Sequence, residues 1–237
     1  MLLKQLQLLL HIKDMEKDND FLRLLLLNPN SLKNKTNVEK VSLEYLPFST
    51  GFEIECNKKS TFDLTAFEKI ENIMDVDIDD GEQRFRIPNG YKGFLCLYDI
   101  SKELINNSEL NPLSGIHYHV DFTDTFDDIR ADTRILDSIK EQILTELDTW
   151  GYDGSYNHRD ISTSFSYIRM NSGFKTFEFR IGEMTFDYSL LAKRIIHCNQ
   201  LSLLIKNAYS FGIVQVAKLD KEEITEILTN RVINLYE

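Results

Sequence analysis

Apolar residues recur along this chain in two rhythms, one of about three and a half residues and one of two. The helical rhythm is clearest over residues 133–150, where Ile135, Leu136, Ile139, Ile143, Leu144 and Leu147 define one face. It recurs over 2–27, a leucine-rich stretch with a polar break at 17–20, closed by Asn28-Pro29-Asn30-Ser31. Helices are also expected over 60–74, starting at Ser60 and Thr61, over 98–107, over 187–209 with Asp187 as N-cap, and over about 220–228. The two-residue rhythm predicts strands at Val41-Ser42-Leu43-Glu44-Tyr45, over 51–57, 84–87 and 115–122, and over 167–170 and 175–181, the last two joined by the turn Asn171-Ser172-Gly173. The acidic run 75–82 reads as a solvated turn, without the spacing of an EF-hand loop. Strands in hairpin-like pairs separated by single helices predict an α+β protein with a largely antiparallel sheet. Residues 1–35 form an N-terminal helical extension, either packed on the chain's own core or free to dock elsewhere, and 36–237 form the main domain.

Three strand segments carry paired polar residues at alternate positions, which places each set on one face of its strand. They are Glu53 and Glu55 in Gly-Phe-Glu-Ile-Glu, His117, His119 and Asp121 in Gly-Ile-His-Tyr-His-Val-Asp, and Glu178 and Arg180 in Phe-Glu-Phe-Arg. Phe52, Ile54, Ile116, Tyr118, Val120, Phe177 and Phe179 point the other way, toward a core. An antiparallel sheet with one wet face yields the same alternation. Residue type separates the two: Asp is a poor strand former, and neighbouring carboxylates repel unless a counter-charge lies among them. Divalent cations supply such a charge, and carboxylates with an occasional imidazole suit Mg²⁺ or Mn²⁺.

The order of these three motifs, followed by a long helix, resembles the amidoligase family over residues 41–210. Its members are small relatives of glutamine synthetase and glutamate–cysteine ligase, often encoded by phages and prophages. The resemblance implies a curved antiparallel sheet with helices on its convex face and ATP, Mg²⁺ and substrate on the concave one. It implies an ATP-dependent carboxylate–amine ligase forming an amide or peptide bond through an acyl phosphate. Carried over, Glu53, Glu55, His117 and Glu178 are metal ligands, and His119 lies against the nucleotide. Arg180 handles substrate carboxylate or transferred phosphate, and Arg169 holds phosphate. The chain departs from the family in Glu82-Gln83-Arg84-Phe85-Arg86, where Arg86 stands in place of an expected acid. Asp121 is the residue available to replace it as a metal ligand. A two-metal phosphohydrolase or nuclease, and an inactive ligase-like binding protein, remain as alternatives.

The 237 residues, 42% hydrophobic and 27% charged, are enough for an unstapled core. A net charge of −11 argues against nucleic acid as a partner. Small-molecule or peptide carboxylates and amines are the expected partners, with self-association or a partner protein reached through the N-terminal helices. Three cysteines without zinc spacing, no membrane-length apolar run and no secretory pattern predict a cytoplasmic protein. His11, His158 and His197 read as surface or core groups, and the loop 151–160 as an ordinary connection. No GxxxxGK[ST] or GxGxxG segment occurs, so nucleotide binding would run through metals and arginines.

Overall fold

The computed structural model describes residues 19–78, 82–111, 114–131, 134–151, 168–181 and 183–218. The helix expected at 220–228, the loop 152–160 with His158, and His11 lie outside these residues. In chain order the helices are α1 (Asn19–Leu27), α2 (Val38–Tyr45), α3 (Leu64–Glu68), α4 (Gly90–Asn107), α5 (Phe126–Ala131), α6 (Arg134–Thr149) and α7 (Tyr188–Lys218). The strands are β1 (Thr50–Glu55), β2 (Asn57–Lys58), β3 (Asp75–Ile78), β4 (Glu82–Ile87), β5 (Ser108–Glu109), β6 (Gly115–Asp121), β7 (Ile168–Asn171) and β8 (Thr176–Phe179). Six of them form an open sheet in the order β3-β4-β1-β6-β8-β7, each neighbouring pair antiparallel. The α+β class and the antiparallel sheet agree with the sequence.

The period of two divides this sheet into faces. Phe52, Ile54, Phe85, Ile87, Ile116, Tyr118, Val120, Phe177 and Phe179 are buried in one core with α4 and α7 residues such as Phe94, Leu97, Leu191 and Ile195. Helix α7 also fixes where β1 begins. Fully buried Asn199 accepts a hydrogen bond from the Phe48 N–H at 3.0 Å and donates to Thr50 Oγ1 at 2.8 Å. Leu25 and Leu32 are buried in the same core. The hydroxyls of Tyr188 and Tyr91 donate to the Leu25 and Pro29 carbonyls at 2.7 and 2.6 Å.

Four expectations are corrected. The strand at 41–45 is helix α2. Val38, Val41, Ser42 and Tyr45 also match the helical spacing, Ser42 and Tyr45 are buried, and Leu43 points outward. The helix expected from Ser60 is five residues long and starts after Asp63, whose carboxylate accepts from the Thr65 N–H at 2.9 Å. The acidic run is no simple turn. Its first part is edge strand β3, with Asp77 paired to Arg84 on β4 at 3.2 Å. Helix α4 also begins earlier than expected, at Gly90, whose φ of +65° suits glycine.

Gly93, on the first turns of α4, lies against the Pro88 carbonyl, and a Cβ there would also fall 2.6 Å from Leu46 Cδ2. Helix propensity alone favours Gly93→Ala by about 1 kcal/mol. Overpacking against backbone reverses the sign, and the expected result is a loss of about 1–3 kcal/mol. A urea midpoint that falls at unchanged slope checks this; a midpoint that rises contradicts the packing.

Candidate functional site

The face opposite the core carries the chemistry, and strand register sets its geometry. One row across the sheet reads Asp75, Arg86, Gly51, His119, Glu178, Arg169. The next row reads Asp77, Arg84, Glu53, His117. A third places Asp121 beside Thr176 and Asn171. Cross-strand partners share a face, so residues remote in sequence become neighbours.

Glu53 is the centre. His117 Nδ1 lies 3.6 Å and His119 Nε2 3.5 Å from its Oε2, while Arg84 Nε lies 3.4 Å from its Oε1. His117 Nδ1 also lies 3.9 Å from Glu178 Oε1, which accepts a 2.6 Å hydrogen bond from Arg180 Nε. His119 Nδ1 lies 3.1 Å from the Thr176 hydroxyl, and its ring meets Phe174 edge-on with centroids 6.1 Å apart. The sequence motifs therefore bring Glu53, His117, His119, Glu178 and Arg180 into one contiguous, largely buried group.

The other three expected residues share the face but stand outside that group. Glu55 lies in register with Gly115 and Glu82, and among the described residues no ion pair ties it to Glu53, His117 or Glu178. Asp121 accepts from the Thr123 N–H and O–H at 2.9 and 2.7 Å and meets Arg86 Nη2 at 3.4 Å. Arg169 faces Glu178 across β7 and β8 without an ion pair among the described residues. Arg84, Phe174 and Gly51 were not singled out from the sequence. Arg84 joins Glu53, Asp77 and Glu82. The alternation Glu82-Arg84-Arg86 against Gln83-Phe85-Ile87 was its visible signal.

These arginines alter one premise of the sequence argument. The counter-charge among the carboxylates is already supplied by guanidinium groups, namely Arg84 for Glu53 and Glu82, Arg180 for Glu178 and Arg86 for Asp121. For a divalent ion, Glu53, His117 and Glu178 are suitable in kind, two carboxylates with one imidazole. Their donor atoms lie 3.6 and 3.9 Å apart. Ligand atoms around one ion bonded at about 2.1 Å stand roughly 3–4 Å from each other. Among the described residues, no three such groups already converge to hold a metal.

A cavity of about 270 Å³ opens beside this cluster, floored by Gly51 and Phe52 and walled by Arg84, Arg86, His119, Asp121, Phe174 and Thr176. Thiol chemistry is absent from it. Cys56, Cys96 and Cys198 are buried, and burial pushes the Cys96 thiol up to about 12. His197 is a core group, as expected: it stacks on Trp150 at 3.9 Å, and burial lowers its pKa to about 3.

No family model, curated protein or solved structure matches this chain in the comparisons made with each. Among the described residues, no helix is long and apolar enough to cross a membrane.

His117 first, then His119, hold the Glu53 carboxyl well below the usual carboxylate range; Arg84 adds to this and burial opposes it. The unfolded chain therefore takes up a proton at Glu53 at a higher pH than the folded one. This stabilisation is complete above the ordinary value of about 4.5 and is lost as the pH falls further. In urea unfolding followed from pH 6 to pH 3, the wild type is expected to lose its advantage over Glu53→Gln as acidity increases. Parallel acid limbs for the two proteins would exclude the pairing.

Proposed function

We propose that the protein is an ATP- and Mg²⁺-dependent carboxylate–amine ligase built on a glutamine synthetase-like sheet. The observation that carries this reading is the approach of His117 to Glu53 at 3.6 Å and to Glu178 at 3.9 Å, from three strands, on one polar face beside a small cavity. In this reading Glu53, His117 and Glu178 hold Mg²⁺, which when bound supplies positive charge to the phosphate oxygens of ATP. Joining a carboxylate to the γ-phosphoryl group brings anions together, so the barrier is largely electrostatic. Arg180 keeps Glu178 oriented through its 2.6 Å hydrogen bond. Arg169, which has no ion pair among the described residues, offers its guanidinium to phosphate from the β7 edge. An amine then displaces phosphate from the acyl phosphate and leaves an amide. The cavity, at about 270 Å³, lies at the small end of ligand sites and suits the carboxylate substrate better than a whole nucleotide. The nucleotide in this reading lies along the remaining polar face, past His119.

One observation favours a second reading, an inactive binding relative: the acids are already neutralised by arginines, so the cluster is stable without an ion. The two differ in a direct measurement. The ligase binds a non-hydrolysable ATP analogue in calorimetry only when Mg²⁺ is present, and turns ATP over when offered carboxylate and amine pools. Glu178→Gln and Glu53→Gln are each expected to lower turnover by about 10²-fold or more, the scale of losing one electrostatic stabiliser. A chain that binds neither Mg²⁺ nor the analogue is the inactive relative.

A further inference from the structure

The cavity exists because β1 has no side chain at residue 51. In the row across the sheet Gly51 lies between Arg86 and His119, both of which project from the same face. Arg86 uses this gap. Its guanidinium starts on β4, passes over β1 and meets Asp121 on β6 at 3.4 Å.

The contact is weak. It is one long ion pair, with the Arg86 side chain 48% exposed and that of Asp121 37% exposed. Such pairs are worth about 0–1 kcal/mol. Asp121 does not depend on it, because the Thr123 N–H and hydroxyl already donate to the carboxylate at 2.9 and 2.7 Å. Asp121 can thus release Arg86 without becoming a bare charge. The other guanidiniums near the cluster are committed: Arg84 to Asp77, Glu82 and Glu53, and Arg180 to Glu178 with only 13% of its side chain exposed. Opposite Arg86 the wall is apolar and open. Phe174, at the β7–β8 turn, is 59% exposed and lines the cavity, held there by Asn171, whose side-chain oxygen accepts from the Gly173 and Phe174 N–H groups at 3.1 and 3.3 Å.

We propose that the cavity over Gly51 is a carboxylate subsite, in which Arg86 exchanges Asp121 for the carboxylate of a small organic acid whose flat or apolar portion rests on Phe174. The planar fork of an arginine matches the two oxygens of a carboxylate, and the exchange trades one long contact for two charge-assisted hydrogen bonds. The acids that also line the cavity are compensated only in part: Glu53 and Asp77 share Arg84 with Glu82, and Asp75 is exposed to water. The inference sharpens the ligase reading, on which it rests only for naming the bound acid as substrate.

The test is equilibrium binding of benzoate, acetate and inorganic phosphate to the full chain, with neither nucleotide nor metal present. Benzoate is expected to bind more tightly than acetate or phosphate. Arg86→Gln weakens benzoate at least about tenfold, the loss of charge-assisted hydrogen bonds. Asp121→Asn acts in the opposite direction and strengthens it about two- to fivefold, by freeing Arg86 from a competitor. Phe174→Ala reduces the benzoate affinity toward that of acetate. Gly51→Val abolishes binding by filling the cavity, while its Cβ finds only ordinary contacts, 3.5 Å from His119 Cβ and 3.6 Å from the Phe85 carbonyl. A purely structural Arg86–Asp121 pair predicts that both partners' variants lower the unfolding midpoint and leave binding unchanged. That result overturns the proposal. Tighter binding of phosphate than of benzoate, or weaker benzoate binding in Asp121→Asn, also overturns it. Should Arg86→Gln fail to fold, Asp121→Asn alone decides. Carboxylate binding without Mg²⁺-dependent nucleotide binding retains the subsite and removes the ligase; the reverse pattern retains the ligase and removes the subsite.

Discussion

A carboxylate at the middle of a sheet needs polar partners on both sides, and Glu53 has them. It occupies β1, the strand with β4 on one flank and β6 on the other, and takes Arg84 from the first and two imidazoles from the second. This ties the register of three strands to one charge. A slip of one residue in β6 would present Ile116, Tyr118 and Val120 to the polar face and bury His117 and His119 in the core. The apolar face enforces the same register, since Phe52, Ile54, Tyr118 and Val120 are all buried. Packing on one side and charge matching on the other therefore select a single alignment, which is the consistency expected of a well-specified fold.

Most of the sheet was legible because its strands alternate strictly and turn residues separate them. The β7–β8 hairpin follows from Asn171-Ser172-Gly173, and Glu53, His117, His119, Glu178 and Arg180 converge because each pair lies at i and i+2 on a strand that was recognised. The failures share a cause. Val41, Leu43 and Tyr45 satisfy a period of two, whereas Val38, Val41, Ser42 and Tyr45 satisfy a period of 3.6, and eight residues do not separate the two. Asp75 and Asp77 looked like a solvated turn because the strand that pairs with them, and the Arg84 that meets Asp77, come from β4, a partner that local sequence does not reveal. The order of strands was also out of reach. It determines that Arg84 sits beside Glu53, and that Glu55 is left in register with Gly115 instead of joining the histidines.

The pairing of every cluster acid with an arginine has a consequence for chemistry. A surface held together by matched, partly buried ion pairs does not reorganise freely, because breaking one leaves an uncompensated charge in a poorly solvated place. Arg180 with Glu178, at 13% and 8% side-chain exposure, is the firmest example. Such a face is preorganised: its dipoles and charges are set before a ligand arrives, which is the condition under which electrostatic stabilisation is most effective.

A preorganised site still has to admit something, and it yields where the matching is weakest. That place is Arg86 over Gly51. Its partner Asp121 is independently satisfied by Thr123, the pair is long and wet, and the strand beneath is bare. Rigidity and access are thus separated along one row of the sheet. His119 and Glu178, at the protected end, are both 6% exposed, while Arg86 two strands away remains half in water. The same register that fixes the buried cluster leaves one guanidinium beside it loosely held, and a ligand carrying its own negative charge can take that group at little cost to the fold.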